Sequence, residues 1–145
     1  MFKNILVPTD GSDKAIQAAG VAKDIAEKYG ARVVLLHVMQ PSYGIATFGT
    51  VDFIPMPTVS LADITEMDKS VLERTRSVFS ESNTTVELRS EWGDPVDGIL
   101  TVAAEENTDL IVIGNRGMSG IKEFLLGSVS NKLAHEASCP VLIVK

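Results

Sequence analysis

The sequence predicts one α/β domain, spanning residues 1–145, with a parallel and doubly wound β-sheet. Of its 145 residues, 45% are hydrophobic and 22% are charged, which is typical of a single globular domain. The apolar runs are short, continuous and rich in β-branched residues, as in strands that helices cover on both faces. Stretches with helical periodicity separate these runs. Strands that alternate with helices in this way form parallel sheets through right-handed crossovers.

The first third of the chain predicts two strands joined by a helix. The strands are expected at residues 5–7 and 33–38. The helix between them begins near Ser12 and stops at Gly30, because glycine favours the left-handed conformation that ends helices. Small residues on this helix predict a close approach to the sheet: Ala15, Ala18, Ala19, Ala22 and Ala26.

The middle of the chain predicts an irregular segment, a helix and an exposed strand. Residues 39–60 have no clear period and form either a mobile excursion or a lid over a ligand. A helix is expected over residues 61–79, where five side chains recur at helical spacing: Ile64, Met67, Val71, Thr75 and Val78. Residues 86–91 alternate apolar and charged side chains. This alternation indicates a half-exposed strand at an edge of the sheet.

The C-terminal third predicts two helices and two strands. Asp94 caps the first of these helices and Pro95 begins it, and its apolar face contains Val96, Ile99, Leu100, Ala103 and Ala104. Residues 110–113 form a buried strand, and a last helix opens at Ser128. The final strand, Val141–Val144, is apolar and is followed only by Lys145, so it is either an uncovered edge that pairs with a second copy or a covered or central strand.

Composition and charge argue against several classes of protein. The formal charge is −6, the pI is about 4.8, and no cluster of Lys and Arg forms a stripe that could follow a phosphate backbone. Nucleic acids and membranes are therefore not expected partners. Cys139 is the single cysteine, which excludes an intramolecular disulfide and a thiolate metal site. No export signal and no apolar run of membrane length is visible, so we expect a cytoplasmic protein.

Ligands of open parallel sheets bind at the carboxyl ends of the strands, near the point where the strand order reverses. The candidate residues at this edge are Pro8, Thr9, Asp10, His37, Val38 and Gly114. Asp10 either contacts a ligand or braces the turn into the first helix. His37 lies inside an apolar strand and is expected to be a hydrogen-bonded structural residue rather than a catalytic base.

A glycine-rich loop after the fourth strand has the features of an anion site. Glycines occupy positions 114, 117, 120 and 127, directly before Ser128. Without side chains at these positions, backbone N–H groups can approach a phosphate, as can the Ser128 hydroxyl and the amides of Val129 and Ser130 at the helix N-terminus. Arg116 and Lys122 would add charge-assisted bonds. The alternative interpretation is that these glycines are turns and that Ser128 is a cap.

Two better-known nucleotide motifs, GxxxxGK[ST] and GxGxxG, are absent. Instead, the chain resembles the universal stress protein family, in its nucleotide-binding subgroup, over nearly its whole length. The resemblance rests on KNILVPTDGS, LLHV, GDP before the third helix, DLIVIGNRG and SCPVLIV. The subgroup signature is Gly, two residues, Gly, nine residues, Gly, then Ser or Thr. Gly114, Gly117, Gly127 and Ser128 match it without departure.

The resemblance implies a Rossmann-like, five-stranded sheet in the order 3-2-1-4-5, flanked by four helices, that binds an adenine nucleotide, commonly ATP. Asp10 would then hydrogen-bond adenine or ribose beside Pro8 and Thr9, and Val38 would line the adenine pocket. The residues implied at the ribose and phosphates are Gly114, Arg116, Gly117, Gly127, Ser128, Val129 and Ser130. Mg²⁺ or Mn²⁺ would be held by the phosphates, and a homodimer would form through Val141–Val144.

Binding is better supported by the sequence than catalysis. No nucleophile and base stand at a recognisable spacing, and no carboxylate cluster suits a two-metal site. We therefore expect a nucleotide-responsive stress or signalling protein. One alternative is a slow ATPase or a nucleotidyl-transfer enzyme that uses the same pocket, because phosphoryl transfer depends mainly on positioning and charge stabilisation. Another is a structural dimer that binds no nucleotide.

Overall fold

The computed structural model describes residues 1–40, 61–115 and 127–145. In chain order their elements are β1 Asn4–Pro8, α1 Asp13–Tyr29, β2 Arg32–Met39, α2 Leu61–Arg76, β3 Val86–Trp92, α3 Pro95–Glu105, β4 Leu110–Gly114, α4 Ser128–Glu136 and β5 Val141–Val144. A 3₁₀ turn, Ser77–Phe79, continues α2. Apart from its first two residues, the irregular segment 39–60 lies outside the described residues. None of the described helices has both the length and the apolar character needed to cross a membrane.

The five strands form one parallel sheet in the order β3-β2-β1-β4-β5. The predicted fold class and strand order are therefore confirmed. Side chains of α1 and α2 pack on one face of the sheet, and those of α3 and α4 pack on the other. The strand order reverses between β1 and β4, so the chain leaves these two neighbours toward opposite faces. A crevice at their carboxyl ends is the usual ligand position in such a sheet.

Helix α1 sits close to the sheet because the residues facing it are small. All five alanines named from the sequence are buried. The Ser12 side chain accepts a hydrogen bond from the Ala15 amide at the N-terminus, and Gly30 ends the helix with φ 66°. Both helix boundaries thus follow from local residue chemistry.

Two of the predicted helix faces are partly wrong. On α3, Ala104 is exposed, whereas Val102, which was not in the predicted stripe, is fully buried. The buried face of α3 is rotated toward Val102 because the helix packs against the sheet on one side and near α4 on another. On α2, Met67 is 66% exposed and the buried residues are Leu72 and Thr75. This helix therefore contacts the sheet mainly through its C-terminal half.

The edge strand β3 is half exposed, as predicted, and its Arg89 forms ion pairs with glutamates at the end of α3. Glu106, at the end of α3, is held between two guanidinium groups. Arg32 Nη2 lies 2.8 Å from Glu106 Oε2, and Arg89 Nη1 lies 2.7 Å from Glu106 Oε1. The hydrogen bond from Arg32 is the main reason that the pKa of Glu106 lies below its ordinary value.

The ion pairs of Glu106 should make the free energy of unfolding depend on pH. Folding lowers the pKa of this carboxyl group, so its ionised form stabilises the folded protein at pH values above the pKa of the unfolded chain. This stabilisation is lost as the pH falls through the lower pKa of the folded state. Glu106→Gln should therefore reduce the loss of stability on acidification below about pH 4.3, the ordinary value for glutamate. Urea unfolding at neutral and acid pH measures this. The exposed Glu81 provides the control Glu81→Gln, and an unchanged pH slope in Glu106→Gln would contradict the prediction.

Candidate functional site

The first part of the site is the turn that follows β1. Pro8 ends the strand and is buried, and Thr9 continues the pairing, its amide donating to the Leu36 carbonyl at 2.8 Å. The amide of Ser12 donates to Asp10 Oδ1 at 2.9 Å. Asp10 therefore braces the turn into α1, which was one of the two interpretations drawn from the sequence. This contact orients its carboxylate at the carboxyl edge of the sheet.

The second part is the end of β2, where neighbouring residues face opposite sides. Val38 lies under α3, which approaches closely because Gly98 has no side chain: a Cβ there would lie 3.1 Å from Val38 Cγ2. On the other face, His37 Nδ1 lies 2.6 Å from Asp68 Oδ1, and Ser90 Oγ donates to Asp68 Oδ2 at 2.5 Å. His37 is thus hydrogen-bonded, as predicted, and its partner comes from α2.

The third part is the end of β4. Gly114 is buried against the first turn of α1, where a Cβ would lie 3.0 Å from the carbonyl carbon and oxygen of Lys14. Glycine is therefore needed at this position because the backbone of α1 packs closely against it. The next residue, Asn115, donates its amide to the Val144 carbonyl at 2.8 Å and accepts a hydrogen bond from the Gly127 amide at 2.7 Å. Asn115 thereby joins β5 to the start of α4.

The N-terminus of α4 differs from those of α1 and α3. Ser12 caps α1, and Asp94 caps α3 by accepting hydrogen bonds from two amides at 2.9 and 3.1 Å. The N-cap of α4 is Gly127, and no side-chain hydrogen bond is found there among the described residues. The interpretation of Ser128 as the cap is therefore wrong, because Ser128 is the first helical residue.

The first amides of a helix have no acceptor within the helix, and the helix dipole makes this end positive. In α4 these are the amides of Ser128, Val129 and Ser130. The Ser128 side chain is exposed. The Ser130 side chain is buried, and its hydroxyl donates to the Gly127 carbonyl at 3.0 Å. Ser130 can therefore offer an anion its amide more readily than its hydroxyl.

The predicted residues Arg116 and Gly117, like Gly120 and Lys122, lie outside the described residues. The other predicted residues lie at the carboxyl edge of the sheet. Those at the ends of β1 and β4 border the crevice, and Val38 lies on β2, next to β1. The residues of α4 are connected to this edge through Asn115. Within the described ranges, no group of three or more His, Cys, Asp or Glu side chains is arranged to hold a metal ion.

The sequence profile of the universal stress protein family matches residues 1–145. The chain belongs to the universal stress protein family. A universal stress protein of Thermus aquaticus is 37% identical over 150 residues, and YxiE of Bacillus subtilis is 35% identical over 149, each alignment covering 100% of both chains. A universal stress protein solved in complex with cAMP is 28% identical, with a TM-score of 0.74 over 99% of this chain and 97% of the other.

The motifs of the universal stress protein resemblance did not reveal every polar group at this edge. The side-chain oxygen of Asn115 is buried and accepts no hydrogen bond from the residues that the structure describes. Asn115 lies inside the GNRG motif, so the sequence could have indicated it as a candidate site residue. No such signal marked Asp68, the partner of His37, or Ser90, which donates to Asp68. None marked Thr75, which bonds to Thr9. Their contacts join α2 to β2, to β3 and to the turn after β1.

Proposed function

We propose that this universal stress protein binds an adenine nucleotide, ATP or a close relative, with its phosphates at the N-terminus of α4. The observation that carries the proposal is the start of this helix beside the crevice between β1 and β4, where no side chain of the described residues caps the first amides. The amides of Ser128, Val129 and Ser130 and the positive end of the helix dipole attract an anion there. This attraction is local, so the net charge of −6 does not oppose it.

The nucleoside would occupy the neighbouring strand ends, where Asp10 accepts a hydrogen bond from adenine or ribose and Pro8, Thr9 and Val38 shape the pocket. The side-chain oxygen of Asn115, which is buried and has no donor among the described residues, also supports a ligand that carries donors. Buried acceptors are nearly always hydrogen-bonded, and adenine and ribose offer amino and hydroxyl groups. The cAMP complex of the 28% identical universal stress protein supports the adenine class.

The remaining parts of the proposal concern the loop and the metal. Gly114, Arg116, Gly117 and Gly127 would flank the ribose and phosphates, with Arg116 supplying a charge-assisted hydrogen bond. Mg²⁺ or Mn²⁺ would bind through phosphate oxygens. In the cell we propose a cytoplasmic, single-domain protein that reports nucleotide state in a stress or signalling response, without nucleic-acid or membrane partners.

Calorimetric titration of the full chain tests this proposal. ATP, ADP, AMP and cAMP are titrated with and without Mg²⁺, and phosphate release from ATP is followed in parallel. We expect saturable binding of at least one of these nucleotides and, at most, slow hydrolysis. GTP serves as the control for the base. If none of the adenine nucleotides binds, the proposal is wrong.

Asp10 provides a prediction about the nucleoside end of the site. Asp10→Ala should weaken binding of ATP and of adenosine by a similar factor, about tenfold, because the lost hydrogen bond involves a charged acceptor. Asp10→Asn keeps an oxygen that can accept from the Ser12 amide but replaces the second oxygen by an NH₂ group. It therefore preserves the turn while it removes the acceptor for the ligand. Affinities are measured by calorimetry. Unchanged adenosine affinity in both variants would remove Asp10 from the site.

The edge strand β5 supports a homodimer. It is the last strand of the sheet among the residues that the structure describes, and Leu142 on it is 38% exposed. Exposed apolar edge strands tend to pair. We expect the wild type to sediment as a dimer and Leu142→Asp as a monomer, since burying an unpaired charge is unfavourable. Met67→Asp, on the exposed side of α2, is the control and should remain dimeric. A monomeric wild type would exclude this dimer.

A further inference from the structure

A buried chain of hydrogen bonds connects α2 with the turn that carries Asp10. The amide of Gly11 donates to Thr9 Oγ1 at 3.1 Å, and Thr9 Oγ1 lies 2.8 Å from Thr75 Oγ1. Thr75 Oγ1 donates to the Val71 carbonyl of its own helix at 3.0 Å. Thr75 is fully buried and Thr9 nearly so. We call these four groups the threonine relay.

The direction of the threonine relay follows from counting protons. A hydroxyl group has one proton to donate. With the Thr75 proton on the Val71 carbonyl, Thr9 is the donor in the contact between the two hydroxyls. The Thr9 oxygen in turn accepts from Gly11. Each group is thus oriented by the next one, and the hydrogen bonds within a buried chain of this kind strengthen one another.

The relay also limits what Thr9 can do in the site. In this arrangement the only proton of the Thr9 hydroxyl is directed to Thr75, so the Thr9 side chain has none to offer to a ligand. Its contribution is to hold the Gly11 amide. Gly11 has φ +76°, and a Cβ at this position would lie 3.5 Å from the Val71 side chain. The turn between Thr9 and Ser12 is therefore packed on α2 as well as hydrogen-bonded to it.

We propose that Thr75 of α2 is a positioning residue for nucleotide binding, which acts through Thr9 and Gly11 to hold the turn that presents Asp10. This inference rests on the proposed function. Thr75 lies far from the glycine-rich signature in sequence and is not one of the residues expected to touch the ligand. Its hydroxyl fixes the turn on the nucleoside side of the site, so its loss weakens the binding of the adenosine part and leaves the phosphate contacts at α4 intact.

The test compares three variants of the full chain. Thr75→Val has nearly the same shape but no hydroxyl, and Thr75→Ser restores the hydroxyl. Thr65→Val is the matched control: Thr65 lies on the same helix and its hydroxyl also donates to the carbonyl four residues earlier, at 2.9 Å from Leu61 O, but it is exposed. Calorimetry gives the affinities for ATP and adenosine, and amide hydrogen exchange without ligand reports on Gly11.

We expect Thr75→Val to weaken ATP and adenosine binding equally, by about fivefold, the worth of one ordinary hydrogen bond, and to speed exchange of the Gly11 amide. Thr75→Ser and Thr65→Val should resemble the wild type in both measurements. A merely structural role for Thr75 would lower the melting temperature without changing the affinity of the folded protein.

These measurements distinguish a failure of the role proposed for Thr75 from a failure of the proposed nucleotide binding. If the wild type binds nucleotide and Thr75→Val binds equally well, the role of Thr75 is overturned and the proposed function stands. Equal losses in Thr75→Val and Thr75→Ser would also overturn it, because the hydroxyl would then be irrelevant. If the wild type binds none of the adenine compounds, the proposed function fails and the role of Thr75 fails with it.

Discussion

Replacing Ser128 by proline is expected to weaken ATP binding about 10- to 100-fold, because one hydrogen bond to a charged group contributes about 1.5–3 kcal/mol. Proline has no backbone N–H, so this substitution removes one of the three amides at the start of α4. The helix itself loses no internal hydrogen bond, since this amide has no acceptor within it. Calorimetry with ATP and a thermal melt of the same sample measure both effects.

The fold should tolerate this proline. Ser128 is the first residue of α4, a position where proline is common, and the preceding Gly127 has φ −55° and ψ 154°, the extended conformation that precedes proline. The chain already uses this arrangement in α3, where Pro95 follows Asp94 with φ −68° and ψ 131°. Ser128→Ala keeps the amide and removes only the hydroxyl. Equal ATP affinity in the two variants would show that the Ser128 amide does not bind phosphate.

Gly114→Ala is expected to destabilise the protein by about 1–3 kcal/mol, the usual effect of overpacking. The added methyl group would lie 3.0 Å from the backbone carbonyl of Lys14. A helix backbone cannot rotate away as a side chain can, so the start of α1 must shift from β4. Because the same end of α1 follows Asp10, nucleotide affinity should fall as well. Urea unfolding and ATP titration measure the two effects.

Gly20→Ala is the control for this experiment, with an expected effect of opposite sign. Gly20 lies within α1, and a Cβ there would meet no atom within 4 Å. Alanine in a helix is favoured over glycine by about 0.5–1 kcal/mol, so this variant should be more stable than the wild type. If Gly114→Ala is as stable as the wild type, the close contact between β4 and α1 does not constrain this position.

Much of the fold could be predicted because its determinants are local. The apolar runs gave the strands their positions, Ser12 and Asp94 marked helix starts, and Gly30 marked a helix end, all of which depend on residues within a few positions. The strand order 3-2-1-4-5 was less accessible. It came from the resemblance to the universal stress protein family, since periodicity alone does not say which strands are neighbours.

The parts that sequence reasoning missed depend on contacts between distant segments. Thr75 was placed on the apolar face of α2, and only the fold shows that its hydroxyl meets Thr9, 66 positions away. The alternative interpretation made Ser128 a cap because serine is common there, yet the cap is Gly127 and the helix begins without a side-chain acceptor among the described residues. Asn115 was overlooked between two residues of the signature, because burial of its oxygen is not visible in a motif.

A crystal structure of the protein grown with ATP and Mg²⁺ would show where the phosphates bind. We expect phosphate oxygens within about 3 Å of the backbone nitrogens of Ser128, Val129 and Ser130, with the nucleoside at the ends of β1 and β2. A bound nucleotide whose phosphates lie away from α4, or a crystal in which a neighbouring side chain of the protein fills this position at saturating ATP, would contradict it.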